Sequence, residues 1–143
     1  MYKLVLFSLI ISTLSAHPLA DYMEKFAADW VRLSPTTATS SQYFSGEEQD
    51  RLDGQLTLPT PAYRAARVAL AEQGLVDLQA IDSAGASAEV LRQKRVMLWL
   101  LDDELGEAKY ADYQLPLNQF NGPQRSTVTW LANSHPVHSL RDA

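Results

Sequence analysis

The residues of this chain that could do acid–base or metal chemistry are few. It has three histidines and no cysteine among 143 residues. His135 and His138 stand three apart around Pro136, which bars a regular helix between them. The neighbouring sequence does not complete a three-ligand zinc site, so the residues favour two loop histidines. His17 would become the N-terminal residue if an export signal were cleaved after Ala16, and an amino group with an imidazole chelates copper. That needs a second histidine on a rigid scaffold, whereas the neighbours of His17 predict a mobile helix start. Asp102, Asp103 and Glu104 form an acidic run, with Glu107 beyond. Paired carboxylates can act as acid and base or hold a cation. On a helix, however, consecutive side chains diverge by about 100° and cannot meet on one ion. Asp103 and Glu107 then stack on a solvated face, and Asp102, nearest the apolar stripe, is the one expected to be buried and paired. No Gly-x-Ser-x-Gly elbow, Gly-rich phosphate loop or His-Glu-x-x-His pair occurs. The residues alone therefore contain no recognisable catalytic centre.

Composition narrows the classes. Hydrophobic residues make up 46% and charged residues 20%, which is a folding composition. Twelve Lys and Arg against 17 Asp and Glu give a net charge of −5, the wrong sign for a protein that neutralises phosphates. The absence of cysteine excludes disulfides, thiolate metal sites and cysteine nucleophiles.

The elements that would position any site read as helices. From Pro18 to Leu33, the residues Leu19, Met23, Phe26, Trp30 and Leu33 recur at spacings of three and four, and Ser34-Pro35 ends the run. Residues 35 to 59 are polar and irregular, with room for one short helix capped by Ser45. Thr60 and Pro61 open the next helix, whose stripe is Tyr63, Ala66, Leu70, Gly74, Leu78 and Ile81. Gly74 in mid-helix points to close approach of another helix or to a kink. After the turn Ser83-Ala84-Gly85-Ala86, Ser87 caps a helix to about Tyr110. Val90, Met97, Leu98, Leu101, Leu105 and Ala108 form one face, and Trp99 and Leu100 widen it toward burial on two sides. The expected fold is all-α, built of amphipathic helices that include an antiparallel helical hairpin. Residues 111 to 125 form a long ordered loop, anchored by Leu115, Leu117 and Phe120. Ser126 caps a short helix to about Asn133, which His135-Pro136 stops.

The first 16 residues have the order of an export signal. Met1-Tyr2-Lys3 is a short basic start, Leu4 to Ile11 is apolar apart from Ser8, and small residues follow to Ala16. The apolar run is far shorter than the roughly 20 residues needed to span a bilayer. A secreted or periplasmic location is expected. At the other end, Ser139 looks like an N-cap followed by a single helical turn, which is not stable alone. The tail frays or the chain is the front part of something longer.

Three segments carry a family resemblance. They are Leu33-Ser34-Pro35-Thr36-Thr37-Ala38-Thr39 with Ser41 to Asp50 (SQYFSGEEQD), the helix Leu98-Trp99-Leu100-Leu101-Asp102-Asp103-Glu104-Leu105, and Leu115-Pro116-Leu117-Asn118-Gln119-Phe120-Asn121-Gly122-Pro123 with His135-Pro136 after it. In this order and spacing, over roughly residues 22 to 143, they resemble the N-terminal region of the exported bacterial proteins grouped as domain of unknown function 885. The Asn-Gln-Phe-x-Gly loop is the most specific piece. The resemblance implies a mostly helical, zinc-dependent, peptidase-like protein several hundred residues long. In it, residues 17–143 would be the N-terminal helical region of a larger, truncated domain. The family's metal motif, a His-Glu pair followed by Pro-Gly-His-His, lies in its C-terminal half, and no residue here matches it. Zinc is thus expected for the full-length family but not held by this chain, whose partner would be the missing catalytic half or a peptide. Asn118, Gln119 and Phe120 are the candidate substrate-binding residues. The amides can hydrogen-bond a peptide backbone and Phe120 can wall a side-chain pocket. The alternative is that the amides satisfy their own loop and Phe120 fills a local core. Likewise two functions stand: an N-terminal fragment of a metallopeptidase-like protein, inactive alone, or a self-sufficient helical module that binds a peptide or protein.

Overall fold

A computed structural model describes residues 17–113, 117, 119–120 and 122–137. The expected export signal, and the expected N-cap at Ser139, lie outside these residues. All regular structure among them is helical: α1 (Pro18–Arg32), α2 (Pro35–Ser41), α3 (Gly46–Asp53), α4 (Pro61–Ala80), α5 (Ala88–Ala108) and α6 (Pro123–Asn133), with a single 3₁₀ turn at Ala111–Tyr113. No helix among them is long and apolar enough to cross a membrane.

Local chemistry explains the boundaries. Thr60 and Ser87 each accept a hydrogen bond from the backbone N–H three residues on, Tyr63 and Val90, and so cap α4 and α5. Pro61 supplies the first residue of α4, where a missing N–H costs nothing. His17 caps α1 with its ring: Nδ1 accepts from the Leu19 N–H at 3.1 Å, while Nε2 lies 3.1 Å from the Ala84 carbonyl oxygen. The Nε2–H tautomer serves both bonds. The expectation of a mobile helix start is therefore corrected, since the ring ties α1 to the α4–α5 turn.

Helices α1, α4 and α5 share the core. Leu19, Met23 and Phe26 of α1 meet Ala71 and Leu78 of α4 and Leu101 of α5, and Trp30, Leu70, Met97, Leu98 and Leu105 pack around them. Gly74 marks the closest approach. A Cβ built there would fall 2.5 Å from Phe26 Cε2 and 3.0 Å from Leu101 Cδ1. Close packing, not a kink, explains this glycine. The α4 stripe is rotated from the expected one, since Ala66 is exposed and Ala71 is buried.

Residues 35 to 59 hold two short helices rather than one. Gln42, at φ 47°, ends α2 in the left-handed region, and its Nε2 donates back to the Thr39 carbonyl. Ser45 stands at the start of α3, but its side chain makes no capping bond. Side-chain amide bonds work here beside the buried Ala38 and Leu52. Buried Gln49 accepts from the Phe44 N–H at 3.0 Å and donates to the Ala38 carbonyl and to Asp53. Thr36 and Thr57 exchange backbone N–H donors for each other's hydroxyls, which clips the following strap to α2. These bonds help order a segment that reads as irregular, and the longest of them join residues 11 and 21 apart in sequence.

Thr39 Oγ1 is buried with no hydrogen-bond partner among the described residues. Thr39→Val keeps the shape and removes the desolvated hydroxyl, so it is expected to stabilise the protein by about 1 kcal/mol, read as a raised urea midpoint. An unchanged or lowered midpoint would show that the hydroxyl has a partner.

Two expectations for α5 are corrected. Trp99 and Leu100 are exposed, so the helix is buried on one side only among the described residues. Asp102 is exposed too, and the paired carboxylate is Glu104. α6 starts at Pro123 with Gly122 at the cap position, three residues before Ser126. The loop ahead of it is not packed down at the described anchors, because Leu117 and Phe120 are both 67% exposed.

Candidate functional site

The most organised polar cluster lies where the helical hairpin meets α1. Arg67 of α4 donates through Nε and Nη2 to the two oxygens of Glu104 on α5, at 2.9 and 2.8 Å. Its guanidinium carbon sits 3.9 Å from the centre of the Trp30 ring of α1. Nη1 reaches the hydroxyls of Tyr63 and Ser34, which themselves lie 2.7 Å apart. Burial opposes the charge on Arg67, but the bonds to Glu104 and Tyr63 outweigh it and hold the pKa above its ordinary value. This is a locked guanidinium, with its fork matched to a carboxylate and its face to an indole. Among the described residues no imidazole or free carboxylate addresses either hydroxyl, and the geometry there is that of a clasp.

Beside the clasp, a groove of about 440 Å³ runs between α4 and the C-terminal half of α5. Pro61, Val68 and Ala108 give it an apolar floor, and Arg64, Glu107 and Asp112 rim it. Arg64 spans to Asp112 at 3.3 Å across this rim.

A second groove, of about 610 Å³, contains Phe120 and is completed by Arg125, Ser126, Thr129, Trp130 and Asn133. A bond from Trp130 Nε1 to Ser40 Oγ on α2, at 2.8 Å, anchors its wall to the body. Of the three candidate substrate-binding residues, Asn118 lies outside the described residues, while Gln119 and Phe120 are exposed. Phe120 faces this groove instead of filling a core.

Elsewhere the charges are structural. Lys25, Asp29, Arg32 and Glu48 form a chain that ties α1 to α3. Lys25 lowers the pKa of Asp29, and Arg32 lowers that of Glu48, each by hydrogen-bonding the ionised carboxylate. Tyr22 donates to Asp77 at 2.9 Å, and burial together with that carboxylate pushes its hydroxyl pKa up. Among the described residues no three His, Asp or Glu side chains come together in a way that could hold a metal ion.

No protein-family model matches the chain, nor does any curated protein or solved structure.

Proposed function

We propose that this chain is the N-terminal helical part of an exported, zinc-peptidase-like protein of the domain of unknown function 885 type. Its helices pack beside the part that carries the metal motif, and its Asn118-Gln119-Phe120 loop lines the substrate cleft formed there. One observation carries the reading. The family-like segment ending in Gly122-Pro123 exposes Leu117 and Phe120, and it is followed by exposed Val128 and Leu131 on α6 and Val137 beyond it. A concentration of exposed apolar groups marks a surface that meets a partner or a ligand. Zinc bound in the C-terminal half would supply the activated water. This chain's part is to accept and donate hydrogen bonds to a peptide backbone and to enclose a side chain against Phe120. Residues 1–16 direct export to the periplasm or the medium.

The chain alone is then inactive. Zinc added to the purified protein is expected to leave its melting temperature unchanged and to produce no peptide hydrolysis. Stabilisation that grows with zinc concentration, and is lost when His135 and His138 are both replaced by alanine, would contradict this.

A second reading, a self-sufficient helical module that binds a peptide or protein, is favoured by the closed core under α1, α4 and α5. Leu19 and Leu78 are 0% exposed there without any partner.

A further inference from the structure

The outer face of α5 carries a pattern that the core among the described residues does not use. Val90, Met97, Leu98, Leu101 and Leu105 turn inward. On the opposite side Arg92, Val96, Trp99 and Asp103 fall at spacings of four, three and four, which places them on one stripe. Val96, Trp99 and the neighbouring Leu100 are 52, 64 and 52% exposed. The order along the stripe is cation, apolar, aromatic, anion. On one flank Arg95 and Asp102 repeat this polarity, while on the other Glu89 and Glu107 are both acidic. Such a sequence of groups is its own complement when reversed.

We infer that a second copy of this chain packs on this face, α5 against α5 antiparallel about a two-fold axis between Val96 and Trp99. Each Trp99 then covers the other copy's Val96, and Arg92 of one copy faces Asp103 of the other. An isologous contact needs this self-complementarity, and a two-fold supplies every contact twice. A parallel pairing would set like charges side by side. Arg92 now pairs with Glu89 one turn earlier on the exposed helix surface. Surface pairs of this kind are worth little, so exchanging that partner for Asp103 is cheap. One helix stripe gives an interface at the small end of the specific range, so the dimer is expected to dissociate at roughly 10–100 µM. This inference does not depend on the proposed function, which uses the loop and α6.

Sedimentation equilibrium of the full chain, with helicity checked by circular dichroism, tests it. The expected result is a reversible monomer–dimer equilibrium that Trp99→Glu abolishes. Arg92→Asp and Asp103→Arg should each weaken association at least tenfold, and the two together should restore it. Three outcomes would overturn it: a monomer at every concentration up to about 1 mM, ten times the weakest expected constant; association indifferent to the two charge reversals or continuing past the dimer; or a monomer that uses Trp99 to hold a separately supplied metal-bearing half instead.

Discussion

Arg67→Ala is expected to lower the unfolding free energy by about 2–4 kcal/mol. Its side chain and that of Glu104 are only 20 and 30% exposed, so the pair is neither fully screened nor fully desolvated. Truncation removes two charge-assisted bonds and strands the Glu104 carboxylate in a site built for a cation. It also strips the cover from the Trp30 ring and leaves Ser34 and Tyr63 with one donor fewer. Three helices lose a shared contact at once. Arg67→Lys should recover less than half, since a point charge cannot match a carboxylate fork or lie flat on an indole. Urea unfolding followed by circular dichroism checks both, and a cost below 1 kcal/mol for alanine would show the clasp to be ornamental.

The second large effect is at Gly74. Elsewhere in a helix interior, glycine to a larger residue gains helix propensity, about 0.5–1 kcal/mol for alanine. Here the new Cβ meets the Phe26 ring at 2.5 Å and Leu101 at 3.0 Å. Both neighbours are buried core residues, and a packed ring cannot withdraw without opening space elsewhere. Gly74→Val should therefore destabilise by about 2–3 kcal/mol. The partner test is Phe26→Leu, harmful alone but expected to offset part of the Gly74→Val cost when combined. Additive losses would place the clash away from Phe26.

Much of the fold is legible in the sequence because its signals are local. The three-and-four spacing from Leu19 to Trp30, the caps at Thr60 and Ser87 and the glycine at 74 each follow from a few neighbouring residues. The clasp is harder to see because, Tyr63 with Arg67 apart, its contacts join residues 29 to 37 positions apart. Even so, a signal exists. Arg67 sits on the Tyr63–Leu70–Gly74 stripe of α4, and Glu104 lies between Leu101 and Leu105 on the inward side of α5. Opposite charges inside the apolar stripes of two hairpin helices point to a pair, although Asp77 on α4 and Lys94 on α5 also turn inward, so the stripes alone do not single out Arg67 and Glu104. Reading Asp102 as the buried carboxylate erred by two residues, which on a helix is about 200° of rotation. The outward turn of Trp99 and Leu100 was equally hidden, because a wide apolar arc does not say which part of it the core will take. Order across residues 35 to 59 depends on Gln49 and the Thr36–Thr57 exchange, contacts that hydrophobic periodicity cannot reveal.

The most direct test of the proposed role is binding between this chain and a separately expressed, zinc-loaded C-terminal half carrying the family's His-Glu and Pro-Gly-His-His motifs, followed by titration calorimetry. A saturable one-to-one complex, weakened at least tenfold by Phe120→Ala together with Leu117→Asp and gaining peptide hydrolysis that neither part shows alone, is the predicted result. No complex at concentrations up to about 1 mM, the weak limit of specific association, or a peptidase activity that this chain performs by itself, would contradict it.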